Sequence, residues 1–230
     1  MKNENQWCFA WIYPDPNWQP GLSRAAMLRA AMWIPGNTIT VSFLDGDKSL
    51  QKRVEQAAAT WTAPLMANLN FVFLKSKTKG DVRISFRYSG SWSVIGTSCK
   101  TIKNRRKPTM NFGWLTPQST DDELRRVVCH EFGHALGLIH EHQNPVNGIK
   151  WNRPQVIQDL SGPPNNWSVD QIEFNMFHPF SVQETNATPL DKDSIMMYPI
   201  PASWTLDGFS AGLNTDLSPI DRQFIRTQYP

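Results

Sequence analysis

The sequence predicts an α+β domain, with strands and helices in the first half and mostly irregular chain in the second. Three observations carry this. Short runs with alternating apolar residues recur between residues 38 and 86 around one amphipathic helix. A strongly capped helix opens at Ser119–Glu123. Beyond Gly137 the chain turns polar and proline-rich until a last capped helix at its end. A chain of 230 residues buries roughly 70% of its unfolded surface, so its core needs no disulfide staple.

Residues 1–35 are rich in Trp, Pro and Asn and carry a helix-compatible patch at Arg24–Trp33. Residues 1–32 read as an N-terminal extension, pro-segment-like, lying on the body. Thr38–Phe43 places Ile39, Val41 and Phe43 on one face of a strand. Asp45-Gly46-Asp47 is a turn. Ser49–Ala63 spaces Leu50, Val54, Ala57, Ala58 and Trp61 as a helix does, and Pro64 limits it. Phe71–Leu74 and the alternating Val82, Ile84 and Phe86 give two more strands. Ser89–Pro108 reads as a long loop whose Lys103–Lys107 segment is a solvated surface, and Thr109–Leu115 as a fourth strand. The next helix is expected from Thr120 to Leu136, with Thr120 and Glu123 as a capping box and acids at the positive end of the dipole. Ser168–Phe177 reads as a short helix. Ser218-Pro219, a cap followed by proline, opens the final one. Residues 33–230 therefore form one domain, cut at 137 into an upper (33–137) and a lower (138–230) part.

At that cut the sequence reads His130-Glu131-Phe132-Gly133-His134-Ala135-Leu136-Gly137-Leu138-Ile139-His140. His130 and His134 lie one turn apart on one helix face. Both imidazoles reach a single Zn²⁺ at about 2.0–2.1 Å. Glu131 projects beside the metal, where it takes a proton from water. Gly137 suits a left-handed helix stop that turns the chain and returns His140 as third ligand. Three nitrogens and one open position describe a catalytic zinc centre. Two histidines four apart are common, but this pattern fixes five positions over eleven residues. The chain holds five histidines, and four fall between 130 and 142. Spacing alone does not exclude His142 as a ligand, although His140 fits the pattern and His142 does not. His178 reads as structural.

The extended motif resembles the signature of the metzincin zinc endopeptidases. His140-Glu141-His142-Gln143-Asn144-Pro145 resembles the astacin branch, in which a glutamate follows the third histidine. Ser194-Ile195-Met196-Met197-Tyr198 is similar to the astacin Met-turn, with Met197 where that branch usually has histidine. The resemblance covers most of residues 33–230. It implies an upper subdomain with a twisted, mostly parallel sheet and two long helices, a largely irregular lower subdomain with a terminal helix, and a zinc cleft between them. It implies His130, His134, His140 and Tyr198 as zinc ligands, Glu131 as general base, and Tyr198 as a second catalytic residue that stabilises the tetrahedral intermediate. Met196 becomes an apolar floor. Trp92-Ser93-Val94-Ile95-Gly96 matches a family loop. Met110–Trp114 falls at the sheet edge above the cleft, where an extended peptide would add a strand.

The expected activity is zinc-dependent endopeptidase on protein or peptide substrates, by a monomer. An intracellular toxin or effector protease with one dedicated protein target, and a catalytically silent zinc-containing peptide-binding module, are the competing readings; an intact Glu131 argues against the second. A net charge of +3 gives no reason to expect a nucleic-acid partner. No run approaches the ~18 apolar residues of a membrane span. The resemblance implies secretion, while the first residues show no signal-peptide pattern. Cys8, Cys99 and Cys129 allow one disulfide or three free thiols. Cys129 reads as a small buried hydrophobe. Cys8, or less readily Asp15, is a candidate to block the open zinc position as a latency device.

Overall fold

The computed structural model of the chain describes residues 8–11 (as backbone), 31–144, 148–163, 165–178 and 189–230. Asp15, Pro145 and residues 24–30 of the helix-compatible patch lie outside the described residues; the end of that patch, Ala31–Trp33, is turn and irregular chain rather than helix. Among the described residues, six strands form one sheet: β1 (Cys8–Trp11), β2 (Thr38–Phe43), β3 (Asn70–Leu74), β4 (Val82–Ser85), β5 (Ser91–Val94) and β6 (Met110–Phe112). Their spatial order is β1-β5-β6-β4-β2-β3. All neighbours are parallel except β5 and β6, which pair antiparallel. The helices are α1 (Lys48–Ala58), α2 (Asp121–Ala135), α3 (Arg153–Ser161), α4 (Val169–Ile172) and α5 (Pro219–Gln228). No described helix is long and apolar enough to cross a membrane.

Local chemistry accounts for the helix boundaries. The Asp47 carboxylate accepts from the backbone amides of Ser49 and Leu50 and opens α1. The buried stripe Leu50, Val54, Ala57 and Ala58 seats α1 against α2. The Thr120 hydroxyl accepts from Glu123 N and caps α2. The reciprocal half of the expected capping box is not made. Glu123 instead accepts from Trp114 Nε1 at 2.8 Å and forms a charge-assisted pair with Arg126. Ser168 and Gln171 make a full box at α4, whose chain continues as a wider turn through Phe177.

Three expectations need correction. The Ser89–Pro108 segment is not all loop: it holds β5 and a 3₁₀ turn at Gly96–Thr101. Met110–Trp114 is not a sheet edge. Its strand portion, Met110–Phe112, lies between β4 and β5, and the outer side of β5 is paired by β1. The polar stretch after Gly137 is less irregular than expected, since α3 forms there by burying Val156 and Leu160, four apart on one face.

Two apolar cores result. One joins β2, β4 and β6 to α1 and α2, and includes Ile195, Met196, Leu217, Ile225 and Tyr229 from the end of the chain. The other gathers Val156, Leu160, Trp167, Ile172, Met176, Met197, Tyr198, Ile200 and Trp204. The adjacent residues Met196 and Met197 thus belong to different cores.

Candidate metal centre

Helix α2 runs into the core and is held by partners to its carbonyls. Trp61 Nε1 donates to Cys129 O and Trp33 Nε1 to Ala135 O, both at 2.9 Å. The Tyr229 hydroxyl donates to Leu136 O. The helix ends in a Schellman closure, with Gly137 N donating to His134 O at 2.8 Å and Leu138 N to Gly133 O at 3.0 Å. Gly137 has φ +105°, a left-handed conformation that glycine adopts without strain. The turn then carries the chain back, and His140 faces the helix.

His130, His134 and His140 converge, all three buried, and one ligand atom from each lies within 4.8 Å of the others. The ring centroids stand 4.6 to 5.3 Å apart. His134 Nε2 and His140 Nε2 approach to 3.2 Å. Two nitrogens bound to one tetrahedral ion at about 2.1 Å each would stand about 3.4 Å apart. Each helix ligand is oriented by its other nitrogen. His130 Nδ1 donates to Ile195 O, and His134 Nδ1 to Leu138 O, both at 2.8 Å. That leaves Nε2 as the lone-pair nitrogen in both rings. His130 Nε2 is buried without a hydrogen-bond partner. An inward-facing lone pair of this kind fits a metal ion.

Electrostatics favour the neutral, ligating form. Burial, aided by the neighbouring His134, pushes His130 and His140 well below the usual imidazole range. Burial alone takes His134 down to about 4. Burial thus favours the uncharged imidazole, the form that offers a metal a lone pair.

Around this group the structure places the other expected residues. Glu131 is fully buried on α2, next in sequence to His130. The Tyr198 ring lies 4.3 Å from the His140 ring and stacks on His130 at 6.2 Å. Met196 lies against α2 at Gly133, between the two helix histidines. His142 does not join the convergent group. Its Nε2 donates to Asn175 O at 2.7 Å, and its ring stacks on Tyr198 at 4.6 Å. An aromatic wall continues from it through Trp151 to Phe177. That wall went unread in the sequence, where Trp151 and Phe177 stand far apart without a pattern. Burial pushes Cys99 and Cys129 up to about 12, so neither is a ready thiolate. Both are free thiols. The Cys8 side chain and Asp15 lie outside the described side chains.

Comparison with solved structures decides the family. A structure of myroilysin matches with a TM-score of 0.84 and 40% sequence identity, over 88% of this chain and 97% of that one. The chain belongs to the myroilysin family. A crystal structure of myroilysin matches at 0.70 and 36% identity, over 99% of this chain and 92% of that one. No protein-family model and no curated protein sequence matches. The α+β architecture, with its mostly parallel sheet, is therefore that of a myroilysin-like metalloprotease, and the three-histidine group is one that could hold a metal ion.

Proposed function

We propose that this myroilysin-family chain is a zinc-dependent endopeptidase of the astacin-like metzincin type. The observation that carries the reading is the convergence of three buried, neutral imidazoles with Glu131 adjoining the first of them. His130 and His134 would hold zinc through Nε2, with His140 as third ligand. Bound zinc supplies Lewis acidity, polarising a peptide carbonyl and making water acidic near neutral pH. Glu131 accepts the proton of the attacking water on a carboxylate oxygen and delivers it to the leaving nitrogen. Its burial next to His130 keeps bulk water away from that transfer. The Tyr198 hydroxyl serves as a donor to the carbonyl oxygen as charge builds on it, and as a resting ligand. Met196 and its neighbours act as the Met-turn beneath the ligands. The upper (33–137) and lower (138–230) parts flank the cleft that takes the peptide.

Glu131→Gln is the test. The variant should bind zinc as the wild type does and lose nearly all hydrolysis of a casein-type substrate, with wild-type activity abolished by chelator and restored by Zn²⁺. Full activity in Glu131→Gln would remove the assignment of the base. A wild-type protein that binds no zinc would remove the reading altogether.

A further inference from the structure

Ser194, Ile195 and Met196 form a hub between the end of the chain and the histidines. On one side, two successive carbonyls receive the metal-site segments. Ile195 O accepts from His130 Nδ1 at 2.8 Å, and Met196 O accepts from Glu141 N at 3.0 Å. On the other side, one amide is held directly from α5 and the other through Ser194. Ile195 N donates to Asp221 Oδ2 at 2.8 Å, and Met196 N donates to Ser194 Oγ at 3.0 Å. The Ser194 hydroxyl in turn donates to Asp221 Oδ1 at 2.7 Å.

The directions of these bonds are consistent from end to end. The amide N–H of Met196 and the carbonyl of Ile195 belong to one peptide unit. One continuous chain therefore runs His130 Nδ1–H to Ile195 O, across that peptide to Met196 N–H, on to Ser194 Oγ, and through its O–H to Asp221 Oδ1. His130, Ser194 and Asp221 are all buried. In a low-dielectric interior each bond of such a chain polarises the next.

We propose that Asp221 is a positioning residue for the metal: its carboxylate, relayed through Ser194 and the Ile195–Met196 peptide, orients His130 and raises its basicity as a ligand. The inference rests on the metalloprotease reading of the histidine group. It replaces the direct carboxylate–histidine contact common at metal sites with a contact through two intervening groups. Capping of α5 does not account for the arrangement. The cap uses only Oδ2, which accepts from Ser218 N at 2.9 Å, while Oδ1 receives the Ser194 hydroxyl.

The test compares Ser194→Ala with Asn214→Ala. Asn214 Nδ2 donates to Lys192 O and Ser194 O, so its loss loosens the same turn without touching the relay. Chelator competition on folded protein should show zinc affinity about tenfold weaker in Ser194→Ala and within about twofold of wild type in Asn214→Ala. The His130 Nδ1 proton resonance of the metal-free protein should move upfield only in Ser194→Ala. Asp221→Asn, which keeps the side-chain shape, should shift both readouts the same way and serves if Ser194→Ala fails to fold. Unchanged zinc affinity with an unmoved resonance overturns the relay, as does an equal loss in Asn214→Ala. Wild-type protein that binds no zinc defeats the metal reading instead, and the resonance still tests the relay.

Discussion

Gly133 offers a direct probe of how tightly α2 is fitted to the 194–198 turn. A methyl group at this position would stand 2.4 Å from Met196 Sδ and 3.2 Å from Trp61 Cζ2. Nonbonded heavy atoms prefer about 3.5–4.0 Å, so the buried thioether must move by more than about 1 Å. Such overpacking costs about 1–3 kcal/mol. Against it, alanine is the better helix former by about 1 kcal/mol. Gly133→Ala should thus lower stability by roughly 1 kcal/mol in the native background. With Met196→Ala the obstructing sulfur is gone, and Gly133→Ala should become stabilising by up to about 1 kcal/mol. The assay is a double-mutant cycle by urea denaturation of metal-free protein, with an expected coupling of about 1–3 kcal/mol. An equal effect of Gly133→Ala in both backgrounds would refute the argument that Met196 is seated against the helix.

Gly137 reverses the logic of Gly133. An added Cβ there meets nothing nearer than the Tyr229 hydroxyl at 3.7 Å, so only the φ of +105° resists it. Gly137→Ala should cost about 1–3 kcal/mol through the backbone and weaken zinc binding by displacing His140, read by denaturation and metal titration; a neutral result on both would show that the turn is not what delivers that ligand. Acid should unfold the metal-free protein early. His134 and His142 are both held down near 4 by burial, so below their ordinary 6.5 the unfolded chain takes up protons first. Their contribution is present above 6.5 and is lost as pH falls to about 4. Glu141, pushed up to about 7 by burial, works oppositely: its contribution is present below its ordinary 4.5 and fades as pH rises to about 7. Urea midpoints from pH 4 to 7 should therefore rise with pH, and rise more steeply in Glu141→Gln; a flat profile would count against the neutral, buried histidines.

What the sequence determined by itself was local. The α2 boundaries follow from Thr120 and the acids after it at one end and Gly137 at the other, because capping and left-handed turns act over a few residues. The His130, His134 and His140 set was legible for the same reason: a helical turn and one bend bring the three rings together. The tertiary structure alone decided what depends on distant pairing. Ser91–Val94 became a strand because β6 and β1 lie beside it, and the same order moved Met110–Phe112 from the sheet edge to its interior. Strand order is set by packing across the whole sheet, so no short window of residues encodes it. The partners that hold His130 in place are further off still, Ile195 being 65 positions along the chain and Asp221 beyond that. They meet only because burying α5 and the 194–198 turn against α2 removes apolar surface from water, and that burial is a property of the folded whole.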